Sequence, residues 1–571
     1  MTKPDAPAVA KLLVELGRRS ALDGDNYYRS RAYLRAAESL AALGEPLERL
    51  IDEGRLREVP GIGEAIADIV TTGTHPLLER MREEVPESVL ELLSVPGLRP
   101  DKIHTLYKEL GINTLSQLEQ AAREDRLSGV KGLGPALQRK ILDGLAIRER
   151  TLGARHLHRA AELIDAATAG LDRSELGLRH IVPAGDLRRG GELVSDLAVV
   201  AEADRVAGGP KLIQKGELSV YLTDPRHFGA SLLYATGSEQ HLRELAEVAK
   251  SQGMTLSAEG LRRGRKLVAS KSEEAIYDAL GLQYIEPELR EGAGEVGLAR
   301  ERHLPELVRA ENIRGILHAH TNASDGVATL EEMAEATRSR GYAYLGVTDH
   351  SRSAHYAGGL SIEEIEAQHA EIDRLNAGYD GNFRIFKGIE SDILPDGSLD
   401  YPEDVLRRFD FIIGSVHGQF RLDREAQTRR VLHAIENPYV SMIGHLTGRQ
   451  LLRRLGYDLD IERVLAACAK HGVAMEINGN PWRLDVDWRW HRRGIELGCL
   501  FSINPDAHSI GEIDSSTRWG LAVSRKGGVP PDRVVNALDA AGFARWLENR
   551  KSRRAAPKPR PARSGKAASS A

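Results

Sequence analysis

Residues that can bind metal ions recur at regular intervals in the C-terminal half of this 571-residue chain. They end short apolar segments, as in GILHAHT, YLGVTDH, RIFKGIESD, DFIIGSVH, VSMIGHL and LFSINPDAH. Imidazoles and carboxylates without thiolates suit Zn, Mn or Fe better than a structural cysteine site. So many donors exceed the needs of one ion, and two or three ions can activate water and stabilise a phosphoryl displacement. The candidate ligands are His318, His320, Asp325, His350, Glu390, His417, His445, Asp506 and His508.

The apolar segments must position these side chains. Together with VAMEING they number seven, have similar lengths and alternate with charge-rich segments such as 330–340 and 461–471. This alternation predicts parallel strands joined by crossover helices. In barrels of this kind the loops after the strands converge at the C-terminal face. Residues two apart on a strand point to the same side, so His318 and His320 can face one site.

The motifs LHAHT, SDG, VTDHS, GIESDI, SVH, GHLT and PDAH together resemble the PHP (polymerase and histidinol phosphatase) family over about residues 314–550. The resemblance implies a distorted (β/α)7 barrel with two or three divalent ions, Mn or Zn foremost and Fe also compatible. It implies one ion held by His318, His320, Glu390 and Asp506, a second bridged by Glu390 to His417 and His445, and a third held by Asp325, His350 and His508. The expected catalytic side chains are His318, His320, Glu390, His417, Asp506 and His508.

Other polar residues of this half match no ligand motif. We interpret Asp349, beside a candidate ligand, as a helix cap rather than a group supporting the ligands. Arg449 follows the His445 segment and could meet a substrate phosphate or form a surface ion pair. Four histidines are expected to be ordinary: His355, His433, His471 and His491.

Three segments of the N-terminal half contain a tight glycine turn that opens a helix: VPGIGEAIADIV (59–70), VPGLRPDKIHTLY (95–107) and VKGLGPALQRKIL (130–142). Such turns expose backbone N–H groups that bind phosphate. They resemble the helix-hairpin-helix motif, which holds DNA without reading its sequence, although Arg99 replaces the second glycine of the middle copy. Upstream, DNYYRSRAYLR places tyrosines among arginines that could contact a terminal phosphate. The candidate DNA contacts are Gly61, Gly63, Gly97, Gly132, Gly134, Arg29 and Arg31.

Residues 1 to about 300 resemble the core of a bacterial family X DNA polymerase, through GDLRRGGELVSDLAVV, FGASLLYATGSEQH and PELREGAGE as well as the glycine turns. Polymerases of that family hold two metal ions with three aspartates on adjacent strands. Here only Asp196 remains, because Ala198 and Tyr221 stand at the other two positions. The nucleotide-phosphate loop, usually Gly-Ser, carries Asp186 instead of serine. Since one carboxylate cannot support phosphoryl transfer, the resemblance implies a degenerate polymerase site at these four positions.

The resemblances imply a multidomain α/β protein with helical helix-hairpin-helix domains, a nucleotidyltransferase-like α+β palm and the barrel. In the palm, Arg188, Arg189 and the turn 234–238 are expected to persist as scaffold or as weak nucleotide contacts. The expected domains are 1–90 (helical, DNA-end-binding), 91–150 (fingers-like, with helix-hairpin-helix), 151–245 (degenerate palm), 246–300 (thumb-like), 314–553 (metallo-phosphoesterase barrel) and 554–571 (basic, Pro-rich and disordered).

The composition limits the partners of the protein. The formal net charge is −5, so DNA binding must come from local patches or backbone donors rather than from a global basic field. No apolar run approaches the roughly 20 residues of a membrane span, and the N-terminus reads as an amphipathic helix rather than a signal peptide. We therefore expect a cytoplasmic, nucleoid-associated bacterial protein. Cys468 and Cys499 are expected to be buried, reduced thiols.

We expect a DNA-repair enzyme whose N-terminal half positions gapped, nicked or 3′-ended DNA. The barrel would then act as a 3′–5′ exonuclease, a 3′-end phosphatase or a phosphodiesterase. Three alternatives stay open. The barrel could cleave small phosphate monoesters, the chain could be a DNA-end-binding scaffold with both sites silent, or the palm could still polymerise with Asp186 or Glu192 as substitute ligands. The intact ligand set argues against a scaffold, and the fused DNA-binding motifs argue against a small substrate.

Overall fold

The structure, a computed structural model, describes residues 6–22, 27–43, 45–76, 78–130, 132–172, 178–203, 206, 210–379 and 381–555. Two helical domains come first in the chain, and a palm, a thumb and a barrel follow. The first helical domain contains α1 (Ala6–Leu22), α2 (Tyr27–Ala41), α3 (Leu47–Asp52), α4 (Glu64–Thr72), α5 (Leu78–Glu84) and α6 (Glu87–Leu90). The second contains α7 (Pro100–Leu110), α8 (Leu115–Arg123) and α9 (Pro135–Arg150). Each domain has its own apolar core, built around Leu13 and Leu40 in the first and around Ile103 and Leu118 in the second.

All three glycine turns have the same backbone geometry. The first glycine of each turn has a φ between 76° and 86°, in the left-handed region that favours glycine: Gly61, Gly97 and Gly132. Two residues later the φ is −80° at Arg99 and −69° at Gly134, which any residue adopts. The second glycine is therefore not needed for the conformation. The sequence-based expectation that Arg99 makes the middle copy degenerate was wrong for its backbone.

The palm consists of a mixed sheet packed against helices. Its sheet has the order β2-β4-β6-β5, in which β4 and β6 are parallel and the other neighbours antiparallel. The elements are β1 (Arg155–His156), α10 (Leu157–Asp172), β2 (Leu178–Pro183), α11 (Gly185–Arg188), β3 (Leu193–Val194), β4 (Leu197–Ala203), β5 (Lys211–Lys215), β6 (Leu218–Thr223) and α12 (Phe228–Thr236).

The thumb packs a three-stranded antiparallel sheet against three helices. Arg290 is fully buried there and pairs with Glu273 at 2.5 Å. Glu273 also accepts two hydrogen bonds from Arg188 of the palm, at 2.7 and 2.8 Å, so this carboxylate joins thumb and palm. The elements are α13 (Glu239–Ser251), β7 (Thr255–Ser257), β8 (Gly260–Arg263), β9 (Lys266–Ala269), α14 (Glu273–Ala279) and α15 (Glu295–Glu301).

The C-terminal half confirms the predicted barrel. Seven parallel strands follow one another in chain order, and almost all of their residues are buried, as in sheets covered on both faces. The Ala507 carbonyl accepts from the His320 N–H at 2.8 Å and nearly closes the ring. The elements are β10 (Gly315–Leu317), α16 (Leu330–Ser339), β11 (Tyr344–Val347), α17 (Ile362–Ala377), β12 (Arg384–Asp392), α18 (Glu403–Leu406), β13 (Phe411–Ser415), α19 (Arg424–Glu436), β14 (Val440–Ile443), α20 (Ile461–His471), β15 (Ala474–Asn478), α21 (His491–Leu497), β16 (Phe501–Asn504), α22 (Ile510–Lys526) and α23 (Ala540–Ala555).

The barrel docks on the palm through residues 185–192, which we call the palm loop. Glu192 of this loop pairs with Arg489 at 3.0 Å and lies 3.6 Å from Arg449, and both arginines belong to the barrel. Lys526, at the end of α22 and almost fully buried, binds the carboxylate of Glu291 and donates to the Arg189 carbonyl at 3.1 Å. Charged side chains thus fix the barrel against the loop that the resemblance assigns to nucleotide phosphates.

The last helix of the chain ends at the last described residue. Helix α23 extends to Ala555, and residues 556–571 of the predicted disordered tail lie outside the described residues. Both cysteines are buried, as predicted. Within the described part of the chain, every helix is too short or too polar to cross a membrane.

Candidate metal centre

The structure brings the nine predicted ligands together at the C-terminal mouth of the barrel. The loops after the strands carry most of them, because that is where a parallel barrel gathers its loops. Only the β15 segment supplies none of the nine. We call this set the metal centre: His318 and His320 after β10, Asp325 in the same loop, His350 after β11, Glu390 on β12, His417 after β13, His445 after β14, and Asp506 and His508 after β16.

The carboxylate of Glu390 lies at the middle of the metal centre and is fully buried. Its Oε1 is 2.9 Å from Nε2 of His445 and 3.3 Å from Nε2 of both His318 and His417. Its Oε2 is 3.0 Å from Nδ1 of His350. One carboxylate therefore faces imidazoles on both sides, the geometry of a bridging ligand.

Two further carboxylates complete the arrangement. Asp506 Oδ1 lies 3.3 Å from Nε2 of His320. Asp325 Oδ1 lies 3.5 Å from Nε2 of His350 and 3.4 Å from Nε2 of His508. Among the described residues, four overlapping groups could each hold one ion: His320, Asp325, His350 and His508; His318, His320 and Asp506; His318, Glu390 and His445; and His350, Glu390 and His417.

These donors fit metal ions rather than one another. Ligands bound at about 2.0–2.2 Å to one ion lie roughly 3.0–3.5 Å apart, which is the spacing seen here. A buried polar atom without a partner is costly, so a cluster of such atoms indicates a missing ligand. In the part of the chain that the structure describes, several buried atoms of the metal centre have no hydrogen-bond partner. They are His318 Nε2, His320 Nδ1 and Nε2, His350 Nδ1, Glu390 Oε1 and Oε2, and His445 Nδ1.

The buried carboxylates and imidazoles of the centre shift one another's pKa values. Burial raises the pKa of Glu390, but His417, His318 and His350 outweigh it and bring that pKa well below its usual value. Burial likewise opposes protonation of His318, yet Glu476 and Glu390 raise its pKa overall. Metal ions compete with protons for the same ring nitrogens, so metal binding releases protons and weakens as the pH falls.

Backbone strain is concentrated at this site. Three of the nine residues have positive φ values, 70° at His318, 22° at His445 and 54° at Asp506. This region is unfavourable for residues with a Cβ and costs about 1–3 kcal/mol at each position. The surrounding barrel maintains the strain, which aims the three side chains inward.

Glu476 is a supporting residue that the sequence analysis missed. It is fully buried on β15, and its Oε1 lies 2.5 Å from Nδ1 of His318. Its Oε2 accepts from the His445 backbone N–H at 2.6 Å, and Asn504 donates to Oε1 at 2.9 Å. A carboxylate behind a ligating imidazole fixes its tautomer and orientation. The same-side spacing of Glu476 and Asn478 in VAMEING was the available signal, the one that singled out His318 and His320.

The interpretation of Asp349 was wrong, whereas Arg449 forms the ion pair that was one of its two expected roles, but in a buried position. Asp349 caps no helix; its carboxylate accepts from the Thr321 N–H and from Gln368, both at 2.7 Å, and so fixes the loop that carries Asp325. Arg449 neither faces a substrate nor forms a surface pair. It is largely buried, donates to the Arg483 carbonyl at 3.0 Å and pairs with carboxylates, because its loop is covered by the palm.

Lysines accompany the second and third glycine turns. A Cβ placed on Gly132 would lie 3.1 Å from the Lys102 ammonium, and one on Gly97 would lie 2.5 Å from Lys140 Cε. Lys102 belongs to the helix opened by the Gly97 turn, and Lys140 to the helix opened by the Gly132 turn. Each turn is therefore approached by a cation from the other hairpin, which places the two glycine turns side by side.

The first helical domain reaches the rim of the metal centre. The guanidinium of Arg31 on α2 lies 5.5 Å from the ring of Trp482, in the barrel loop after β15. The imidazole of His156 also contacts that ring, at 4.4 Å between centroids. The next residue, Arg483, lies 3.8 Å from Asp506. Arg31 is therefore on the side of the first helical domain that meets the barrel. Arg29 instead acts within its own domain, where burial and the charge of Arg29 lower the pKa of His75.

The degenerate polymerase positions lie together in the palm. Asp196 accepts from the Asp186 N–H at 3.0 Å, and both burial and the neighbouring Asp186 carboxylate raise the pKa of Asp196. Ala198 is buried in an apolar cluster with Phe228, and Tyr221 packs against that cluster. Among the described residues, groups of three or more donors close enough for one ion occur only in the barrel.

Comparisons with known proteins agree with this architecture. Family models match a helix-hairpin-helix domain at residues 4–72, a SAM-like helix-hairpin-helix tandem at 89–146, a DNA polymerase beta thumb at 231–291 and a PHP domain at 317–480. The DNA polymerase/3′-5′ exonuclease PolX of Bacillus subtilis (strain 168) is 33% identical over 573 residues, covering 95% of this chain and 99% of the relative. Probable phosphatases of Thermoanaerobacter sp. (strain X514) and Vibrio campbellii are 28% and 31% identical; each match covers 41% of this chain and 94% and 92% of the relative.

Fold and site define a DNA-binding, polymerase-like core joined to a PHP barrel whose mouth can hold metal ions. The chain belongs to the bacterial family X DNA polymerases that carry a C-terminal PHP domain. The resemblance found in the sequence is thereby confirmed, as is the fold class. The thumb and helix-hairpin-helix domains imply DNA binding, and the PHP domain supports a metal-dependent hydrolase.

Glu476→Gln tests the supporting role of this carboxylate. The variant keeps the side-chain volume but removes the charge behind His318, so we expect Mn²⁺ affinity to fall about 10- to 100-fold. Calorimetric titration of the metal-free protein measures it. Glu462→Gln, an exposed carboxylate on α20, should bind as wild type. Equal affinity of both variants, with unchanged circular dichroism, would contradict the role.

Lys102→Glu and Lys140→Glu test the paired glycine turns. Each substitution should weaken binding of any DNA sequence to a similar extent, and each should reduce the slope of log affinity against log salt by about 1. Fluorescence anisotropy with a gapped duplex at several salt concentrations measures both quantities. Lys470→Glu, on the exposed face of α20, is the control. A salt slope that stays at the wild-type value would show that these turns do not bind phosphates.

Proposed function

We propose that the barrel hydrolyses phosphodiester bonds at the 3′ end of DNA, as a 3′–5′ exonuclease with 3′-end phosphatase or phosphodiesterase activity in DNA repair. The observation that carries this proposal is the set of nine metal-capable side chains around Glu390, with their unsatisfied donor atoms. Two or three divalent ions, Mn or Zn first and Fe also compatible, would supply activation of water and stabilisation of charge on the phosphate.

The burial of the donors indicates where the substrate enters. His318, His320 and Glu390 are fully buried, whereas Asp325 and His508 each retain 32% of their side-chain exposure. The buried residues would therefore hold and orient the metal ions. Water and substrate would reach the centre along the side of Asp325 and His508. A phosphate arriving there meets a rim of exposed side chains instead of an enclosed pocket, which suits a polymer end.

The link to the helical domains favours DNA over a small substrate. Arg31 contacts Trp482, and Trp482 is followed directly by Arg483 at the metal centre. Helix α2 thus meets the barrel loop that carries Arg483, which supports passage of a strand from the helical domains to the barrel mouth. The name of the Bacillus subtilis relative gives a 3′-5′ exonuclease beside a DNA polymerase, and the exonuclease is consistent with this path.

We further propose that the palm has lost polymerase activity and serves as a platform. The two arginines of the palm loop, which a triphosphate would need, are engaged by carboxylates: Arg188 by Glu273, and Arg189 by Glu291 and Asp186. The substitute ligands considered from the sequence are engaged as well, since Asp186 holds Arg189 and Glu192 holds the barrel arginines. Adding a triphosphate beside Asp186 and Asp196 would bring like charges together.

A second candidate is hydrolysis of small phosphate monoesters. It is favoured by the probable phosphatases, whose matches to this chain cover about two fifths of it and nearly all of their own lengths. A competition experiment distinguishes the two candidate functions. Excess single-stranded DNA should inhibit hydrolysis of a small ester if the DNA end binds at the metal centre, and it should not if the two substrates use different sites.

The main experiment uses DNA labelled at the 5′ end and DNA labelled at the 3′ end, single-stranded and gapped, with Mn²⁺ and without nucleotides. We expect stepwise loss from the 3′ end. The double variant His318→Ala/His320→Ala should be slower by more than about 1,000-fold, and chelator should abolish activity. Added nucleotides on the gapped template should give no extension.

Two outcomes would contradict the proposal. If the DNA stays intact while phosphate is released from small monoesters, the barrel is a phosphatase and the nuclease proposal is wrong. Extension of the gapped primer, lost in Asp196→Asn, would show that the palm still polymerises.

A further inference from the structure

Two side chains that are not candidate ligands flank the open side of the metal centre. Tyr356 lies in the short helix His355–Ala357, with its ring centroid 6.1 Å from that of His350 and 6.3 Å from that of His417. Arg483 lies on the other side, with Nε 3.8 Å from Asp506 Oδ2. The two are thus separated by the row of donors.

Tyr356 presents an exposed ring at the metal centre. The residue is 72% exposed, although the segment that carries it is fixed by backbone hydrogen bonds from Ala357 and Gly359 to the Ala354 carbonyl. The ring lies beside two of the candidate ligands, His350 and His417, so Tyr356 borders the metal centre. The ring contributes little to the core, and a function outside folding accounts better for its position.

Arg483 is held in place by its backbone rather than by a salt bridge. Its N–H donates to the Asn480 carbonyl at 2.8 Å, and its own carbonyl accepts from Arg449. Its side chain approaches Asp506 at 3.8 Å, a carboxylate that would be engaged by a metal ion. The Arg483 side chain keeps 20% of its exposure beside Asp506, at the mouth of the barrel.

We propose that Tyr356 and Arg483 form a subsite for the terminal nucleotide of an unpaired DNA strand. The Arg483 guanidinium binds a non-bridging oxygen of the phosphate at the metal centre, the Tyr356 hydroxyl donates to the same phosphate, and the Tyr356 ring stacks on the base. Guanidinium groups suit phosphate through directed N–H bonds, and aromatic rings stack on any base without reading sequence. The subsite deepens the proposed nuclease function and rests on it.

This arrangement predicts which DNA ends are substrates. A base must leave its pair and its stack before it can lie on the Tyr356 ring, and that step costs a few kcal/mol in a duplex. Unpaired and mismatched ends are therefore degraded faster than matched ends, without any contact that reads the sequence.

The test uses two nitrophenyl diesters that share a leaving group. Thymidine 5′-monophosphate p-nitrophenyl ester carries a base on the phosphate, and methyl p-nitrophenyl phosphate carries none. Full-length wild type, Tyr356→Phe, Tyr356→Ala and Arg483→Gln are compared with Mn²⁺. Tyr439→Ala, directly before β14 and thus at the opposite end of the barrel, is the matched control.

Loss of the hydroxyl should lower kcat on both esters, to the same extent in the Phe and Ala variants. Loss of the ring should raise KM for the thymidine ester only. We expect that KM to be about 5- to 100-fold higher for Tyr356→Ala than for Tyr356→Phe. Arg483→Gln should lower kcat/KM about 10- to 100-fold on both esters, because each carries the bound phosphate.

Equal KM values for the Phe and Ala variants on the thymidine ester would overturn the subsite. So would the same Phe-to-Ala difference on both esters, because Tyr356 would then support the metal centre alone. If wild type hydrolyses both esters and leaves DNA intact, the nuclease proposal fails, while the Phe-to-Ala comparison still decides whether a nucleotide is recognised.

Discussion

The structure depends on one buried carboxylate surrounded by imidazoles. Glu390 is fully enclosed at the barrel mouth, and His318, His350, His417 and His445 lie within 3.3 Å of its two oxygens. Burying so much ionisable surface is unfavourable unless charges and hydrogen bonds are satisfied. The barrel tolerates it because seven strand ends converge there and because divalent ions match both the spacing and the donor types.

Because the ligands must be held around Glu390, neighbouring residues fix their side chains and loops. Glu476 fixes His318 from behind, and Asp349 fixes the loop before Asp325. On the outside, Glu192 of the palm loop holds Arg449, which in turn binds the carbonyl of Arg483. The palm therefore contributes to the geometry of the metal centre.

Much of this architecture could be predicted from the sequence. Alternating apolar and charged segments predict parallel strands with crossover helices, and donors at the segment ends locate the mouth. The role of Arg99 could not be predicted, since only the backbone shows a φ that any residue accepts. Neither could the docking of the barrel, because Lys526 and Glu291 are far apart in sequence and look like ordinary surface charges. Glu476 escaped notice because buried supporting carboxylates lack the histidine-rich motif of the ligands.

The measurement that tests the central claim most directly is the metal content of wild type and Glu390→Gln. Both proteins are equilibrated with Mn²⁺, passed through gel filtration and analysed by mass spectrometry, with the exposed Glu462→Gln as control. Because Glu390 belongs to two of the four donor groups and the other two share His320, we predict at least two ions per chain in wild type and at most one in Glu390→Gln. Equal metal content in the two proteins would contradict a bridging carboxylate and the account built on it.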